Sequence, residues 1–214
     1  MQIAIPLFDR LTALDGIGPY EVLQRLPDAE VVFVAERLGE VRTENGFLGL
    51  TADAVYADVP CPTVVVVPGG VGTRAVVADD DHPLIQWVND VHATTRFTTS
   101  VCTGSLVLAK AGLLDGLTAA THWGAYDALN KLGAVATEDR VVEHLSERII
   151  TAAGVSSGID MALRLSELLV DDVAAKAMQL MVEYDPQPPF DAGSVDKAGP
   201  EVMERLINYA QDKS

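Results

Sequence analysis

Short runs of uninterrupted apolar residues alternate along the chain with longer stretches in which apolar positions recur every three or four residues. Runs of the first kind predict strands buried on both faces, and stretches of the second predict helices packed against them. Gln2 to Leu7, Val31 to Ala35 and Thr63 to Val67 read as strands of this kind, and the more mixed Arg96 to Val101 and Ile149 to Ala152 also read as strands, with Val141-Val142 a shorter one. The first helical pattern opens at Asp15-Gly16 and carries Ile17, Tyr20, Val22, Leu23 and Leu26 on its apolar face. Pro19 is expected in its first turn, where a missing N–H costs little. Further helices are predicted over Pro83 to Thr95, over Thr103 to Ala111 with Gly112 as the stop, and over Thr121 to Leu132. Another begins after the turn at Gly154 to Gly158, and two more span Asp172 to Val182 and Gly199 to Gln211. Glu40 to Ala54 is more polar, contains Gly46 and Gly49, and predicts an edge hairpin. Asp185-Pro-Gln-Pro-Pro189 predicts a stiff extended segment.

Strands that alternate with helices and are mostly apolar imply an α/β protein. The expected architecture is a flavodoxin-like, doubly wound, mostly parallel sheet sandwiched by helices, with a small edge hairpin. The 214 residues show no internal repeat and no break in composition, so one domain over residues 1–214 is expected. Aromatic residues make up only 6%, so the core must be built mainly from Val, Leu, Ile and Ala.

Lys and Arg total 15 against 31 Asp and Glu, a net charge of -16. Such a surface repels phosphate backbones and anionic membranes, so neither nucleic acid nor membrane is an expected partner. No stretch reaches the length of a membrane span, and Met1-Gln-Ile-Ala-Ile-Pro6 lacks the features of a secretion signal. A cytoplasmic location is expected. The two cysteines, Cys61 and Cys102, form no CxxC pair, and the ligands of a structural zinc site are missing. Gly69-Gly70 belongs to neither a GxGxxG nor a phosphate-binding loop, so no nucleotide fingerprint is present. No cofactor and no metal are expected.

The stretch Phe97-Thr-Thr-Ser-Val-Cys102-Thr-Gly-Ser105 places a cysteine at an abrupt join between a strand and a helix. In an open parallel sheet ligands bind at the carboxyl ends of strands, and a sharp turn there pushes a nucleophile into the cleft. The helix that follows is expected to lower the thiol pKa and to make Cys102, not Cys61, the reactive thiol. The bland alternative is a small buried hydrophobe. Cys61 lies between Pro60 and Pro62 and reads as incidental. Pro68-Gly69-Gly70 follows the central strand, and its N–H groups together with that of Thr103 would suit an anion-stabilising pocket. It also reads as a plain turn. Asp15 at the first strand–helix junction could be a general acid or base, but from spacing alone a helix N-cap is the simpler reading. His122, in Thr121-His122-Trp123-Gly124, could reach the cleft mouth and pair with a cysteine, or belong to a helix start.

Taken in order, Asp15-Gly-Ile-Gly-Pro-Tyr-Glu-Val-Leu, Val-Val-Pro-Gly-Gly70, Ser-Val-Cys102-Thr-Gly, Ala-Thr-His122-Trp and Thr-Ala-Ala-Gly154-Val-Ser-Ser-Gly-Ile-Asp160 resemble the ThiJ/PfpI superfamily, which is related to class I glutamine amidotransferases. The ending, Glu183-Tyr-Asp-Pro-Gln-Pro-Pro-Phe-Asp-Ala-Gly193, is similar to the isonitrile hydratases within it. The resemblance implies a flavodoxin-like fold, a homodimer and a reactive cysteine on the elbow. It matches Cys102 to the nucleophile, Asp15 to an acidic partner that is glutamate in many members, and Thr103 to the residue after the nucleophile. Protease-like members carry histidine at that last position, so the chain departs from them. Gly70 matches the oxyanion-side loop, and His122 the histidine of the Thr-His-Trp motif. The activity so implied is a hydro-lyase that hydrates an isonitrile to an N-substituted formamide. It would run through a covalent Cys102 thioimidate, with Asp15 as general acid and base. Similar motifs occur in input domains of AraC-type regulators, for whose DNA-binding domain a chain ending at Ser214 is expected to have no room. A cysteine-based redox or stress-response module, or an enzyme of the superfamily acting on another small electrophile such as a glyoxal or an amide, are the alternatives.

Overall fold

A computed structural model describes residues 1–211. Two compact units divide the chain, Met1–Val182 and a second beginning at Glu183. In the first unit the order is β1 (Gln2–Pro6), α1 (Ala13–Leu23), β2 (Glu30–Ala35), β3 (Gly39–Arg42), β4 (Gly49–Ala52), β5 (Ala54–Val55) and β6 (Val64–Val67). There follow α2 (Thr73–Ala78), α3 (Pro83–His92), β7 (Phe97–Val101), α4 (Gly104–Lys110), β8 (Thr118–Ala120), α5 (Tyr126–Lys131), β9 (Val135–Thr137), β10 (Val141–His144), β11 (Ile149–Ala152), α6 (Ser157–Leu169) and α7 (Asp172–Met181). The second unit holds residues 185–189, which form neither helix nor strand, and α8 (Val195–Gln211), which is broken at Gly199.

Seven strands form one sheet in the order β10-β11-β7-β6-β1-β2-β5. All its pairings are parallel except that of β10 with β11, and β3 and β4 form the expected antiparallel hairpin. The four consecutive valines of β6 are fully buried, as a strand covered on both faces requires. Ile3, Ile5, Val64, Val66 and Val101 pack under α1 and α6, whereas Ala4, Val65 and Val67 pack under the helices from α2 to α5. Strand order reverses between β1 and β6. The loops after these two strands therefore diverge, which opens a crevice at the carboxyl edge of the sheet. The fold is the doubly wound one read from the sequence.

Local details differ from the sequence reading. Helix α1 starts at Ala13, so Pro19 falls in its second turn and offers no N–H to the Asp15 carbonyl. Predicted helix 121–132 is instead a 3₁₀ turn over Trp123–Ala125 followed by the shorter α5. Helix α3 stops at His92, three residues early. Strands β8 and β9, three residues each, pair with each other in a separate parallel ribbon that the sequence reading lacks. Their sequences are too short to show a period. No described helix is long and apolar enough to cross a membrane.

Candidate active site

Cys102 follows β7 directly and adopts a left-handed backbone with φ of 57°. A side chain in that region is strained by roughly 1–3 kcal/mol, and such strain persists only where the surroundings enforce it. Here the Cys102 N–H donates to the carbonyls of Ala152 (3.1 Å) and Ala153 (2.8 Å). Its carbonyl accepts from Ser105 Oγ and Thr121 Oγ1, both at 3.1 Å. The turn is therefore clamped from β11, from α4 and from the end of β8. The sharp strand-to-helix turn expected from the sequence is present at Cys102.

Asp15 lies on α1 across the crevice and is fully buried. Its Oδ2 accepts from the Gly69 N–H at 2.9 Å, while Oδ1 is buried without a hydrogen-bond partner. It is not the helix cap, since Thr12 holds that position. Burial raises the carboxyl from 3.8 to about 7; the Gly69 N–H pulls it down, the Glu44 charge pushes it up, and the Cys102 thiol lowers it as a donor without closing a hydrogen bond on Oδ1. Cys102, 4% exposed, is pushed up to about 12 by burial and by the Asp15 charge, against the N–H groups of Thr103 and Val155. This corrects the expectation of a lowered thiol pKa: two acidic groups crowd one dry crevice, and the short helix behind the sulfur does not offset that. Burial thus favours the protonated form of both groups.

Thr103 completes the site. Its Oγ1 accepts from the Gly70 N–H at 2.8 Å and donates to the Gly70 carbonyl at 3.2 Å. The amides of Gly69 and Gly70 thus hold Asp15 and Thr103 in place. A methyl group at Gly69 would lie 2.5 Å from the Thr103 nitrogen and 3.0 Å from Asp15 Oδ2. Gly69→Ala is expected to force the two sides of the crevice apart and to cut turnover at least about 100-fold, as a misplacement of about 1 Å does. Steady-state kinetics with circular dichroism check this, and near wild-type turnover would contradict it.

His122 forms no hydrogen bond with Cys102. Its Nδ1 accepts from the Gly124 N–H at 3.2 Å, which places the proton of the neutral ring on Nε2. The ring tilts against Trp123 at 5.1 Å and lies over Gly154, next to Val155. Burial lowers its pKa, and Glu44 opposes this. Cys102, Asp15, Thr103 and Gly70 are therefore gathered at one point, with His122 adjoining. The Val155 N–H and Glu44 were not anticipated. Val155 lies in a quoted motif, but Glu44 carries no local signal.

Comparison with known proteins bears on the family and the fold. An isonitrile hydratase of Pseudomonas putida is 42% identical over 210 residues, covering 98% of this chain and 90% of that protein. The crystal structure of a ThiJ/PfpI family protein from Pseudomonas syringae superposes with a TM-score of 0.90 at 38% identity, covering 99% of this chain and 86% of the other. Oxidized DJ-1 of Toxoplasma gondii shares the fold at 24% identity and a TM-score of 0.73, over 86% of this chain and 99% of its own. The model of the DJ-1/PfpI family matches residues 1–168. The chain belongs to the DJ-1/PfpI family.

Proposed function

We propose that the chain is an isonitrile hydratase, a hydro-lyase that converts an isonitrile to an N-substituted formamide. One observation carries the reading. A thiol on a strained elbow meets a buried carboxyl group that has one oxygen without a hydrogen-bond partner, and burial pushes the pKa of both groups up. The likeness to the Pseudomonas putida enzyme supports it.

The chemistry follows from that pairing. Asp15 takes the thiol proton as the N–H groups of Thr103 and Val155 face the sulfur. Protonated Asp15 then gives the proton to the isonitrile carbon, which is nucleophilic until protonated, and the sulfur bonds to the same carbon. The product is a thioimidate, R–N=CH–S–Cys102. Water adds across the C=N bond, with Asp15 removing one water proton and the nitrogen gaining another. Collapse forms the formamide C=O and breaks the C–S bond, and the sulfur recovers its proton through Asp15. One carboxyl group acts as base, acid, base and acid again. Gly70 keeps Thr103 in register, and neutral His122 offers its Nε2–H to the substrate nitrogen or the product oxygen. A resting thiol also oxidises slowly, which suits hydration better than redox sensing. The test is formamide release from cyclohexyl isocyanide. None above the uncatalysed rate would reject the reading.

The pH dependence follows. Below about 7 Asp15 is protonated in the free protein and no base remains for the thiol. Thus kcat/KM is expected to rise with pH through about 7 and to stay high up to mildly alkaline pH. A flat profile from pH 5 to 8 would rule out Asp15 as the base.

The reading includes a cytoplasmic setting, a small-molecule substrate, no nucleic-acid partner and a homodimer. The dimer rests on the family resemblance. Light scattering at micromolar concentration is expected to give twice the 22.8 kDa chain mass, and a monomer would count against it.

A further inference from the structure

Glu44, in the turn of the β3–β4 hairpin, lies outside the reacting pair. Its N–H donates to the Leu11 carbonyl at 3.1 Å, and its Oε1 accepts from the Val71 N–H at 3.1 Å. Both partners belong to the scaffold of the site. Leu11 precedes α1 and Asp15, and the Thr12 N–H beside it donates to the Gly69 carbonyl at 2.8 Å. Val71 follows Gly70, whose N–H is held by Thr103 next to Cys102. A bridge between Leu11 and the buried Thr43 fixes the register of the hairpin here. The exposed Glu44 carboxylate is thereby pinned at the rim, where the three segments that build the site meet.

Among the described residues no ion pair holds Glu44. Arg42 is paired with Glu40 at 2.7 Å. Arg10, on the adjoining loop, is exposed, and neither it nor Glu44 enters an ion pair among the described residues. The titratable groups of the site are Asp15 from α1, Cys102 from the elbow and His122 from the turn before α5, and Glu44 from the hairpin is tied to Leu11 and Val71, on the segments that lead to Asp15 and from Gly70. The charge of Glu44 reaches both Asp15 and His122. An entering molecule therefore meets fixed negative charge at the rim and again at Asp15.

We propose that Glu44 is a specificity residue that selects substrates by charge, admitting isonitriles whose N-substituent is neutral or cationic and rejecting those that carry a carboxylate. The inference rests on the hydratase reading and extends it from the reaction to the substrate class. A second carboxylate brought within several ångströms of this exposed but pinned one is disfavoured by about five- to tenfold at low salt.

Glu44→Gln tests this, because glutamine keeps an acceptor for the Val71 N–H while losing the charge. In a Cys61→Ser background, Cys102 is alkylated by neutral iodoacetamide and by anionic iodoacetate. In parallel, kcat/KM is measured for cyclohexyl isocyanide and for isocyanoacetate. In both pairs the preference for the neutral compound is expected to fall by about five- to tenfold in Glu44→Gln, and to shrink in the parent protein as salt is raised. Ratios unchanged by the substitution would overturn the proposal, as would a Cys102 that reacts with neither reagent. If the parent protein turns over neither isonitrile, the hydratase reading fails, and the alkylation ratio still decides the role of Glu44.

Discussion

Replacing Cys102 with alanine is expected to leave a folded protein that releases no measurable formamide. The hydrogen bonds that hold the elbow run through the backbone of residue 102 and survive the change: its N–H to Ala152 and Ala153, its carbonyl to Ser105 and Thr121. Alanine carries the same left-handed strain as cysteine at a φ of 57°, so stability should change little. What disappears is the atom proposed to bond to carbon, and in that mechanism Asp15 and His122 only give or take protons or hydrogen bonds. Retention of more than about a tenth of the activity, a loss under roughly 1.4 kcal/mol of transition-state stabilisation, would end the case for a covalent intermediate.

Asp15→Asn separates activity from stability in opposite directions. Turnover is expected to fall about 10²- to 10⁴-fold, because the amide cannot cycle the proton between sulfur, carbon and water. The variant should nonetheless be more stable than the parent at pH 8. Folding raises the carboxyl from 3.8 to about 7, chiefly through burial. Between those pH values the folded state binds more protons than the unfolded one, so parent stability declines as pH rises through that window. Above it the folded state carries a burden of about 2–4 kcal/mol that an asparagine lacks. Asparagine still offers an oxygen to the Gly69 N–H, so the scaffold is retained. Thermal unfolding at pH 4 and pH 8 reads the effect as a gap that opens with pH. An Asn variant that hydrates isonitriles at near the parent rate would shift the proton to His122 or solvent.

Much of the site is legible in the sequence because its parts lie at strand ends. The short strand pattern Arg96 to Val101, rich in Phe, Thr and Val, stops at Cys102 and a helix follows at once, so the elbow can be read locally. The four valines of β6 point in the same way to Gly69 and Gly70. Asp15 is different. Its position near a helix start has a simpler local explanation, and only the family resemblance singled it out. Its burial and its bond to Gly69 come from a contact 54 residues away. Glu44 was hidden for the same reason, since it reads as one more polar residue of a hairpin until the Leu11–Thr43 bridge brings that hairpin to the crevice. The direction of the thiol pKa was misread because helix geometry is local, whereas burial and the neighbouring carboxyl are properties of the assembled crevice. Strands β8 and β9 escaped because Thr-Ala-Ala and Val-Ala-Thr are too brief for alternation to register.

The covalent step can be observed directly. Protein mixed with cyclohexyl isocyanide, quenched in acid during turnover and digested for mass spectrometry, should show a mass gain equal to one intact isonitrile molecule on the peptide that contains Cys102. The gain should be absent from the peptide containing Cys61 and should vanish once substrate is exhausted. Continuing formamide release with Cys102 never modified would contradict the thioimidate, and with it the role given to the sulfur.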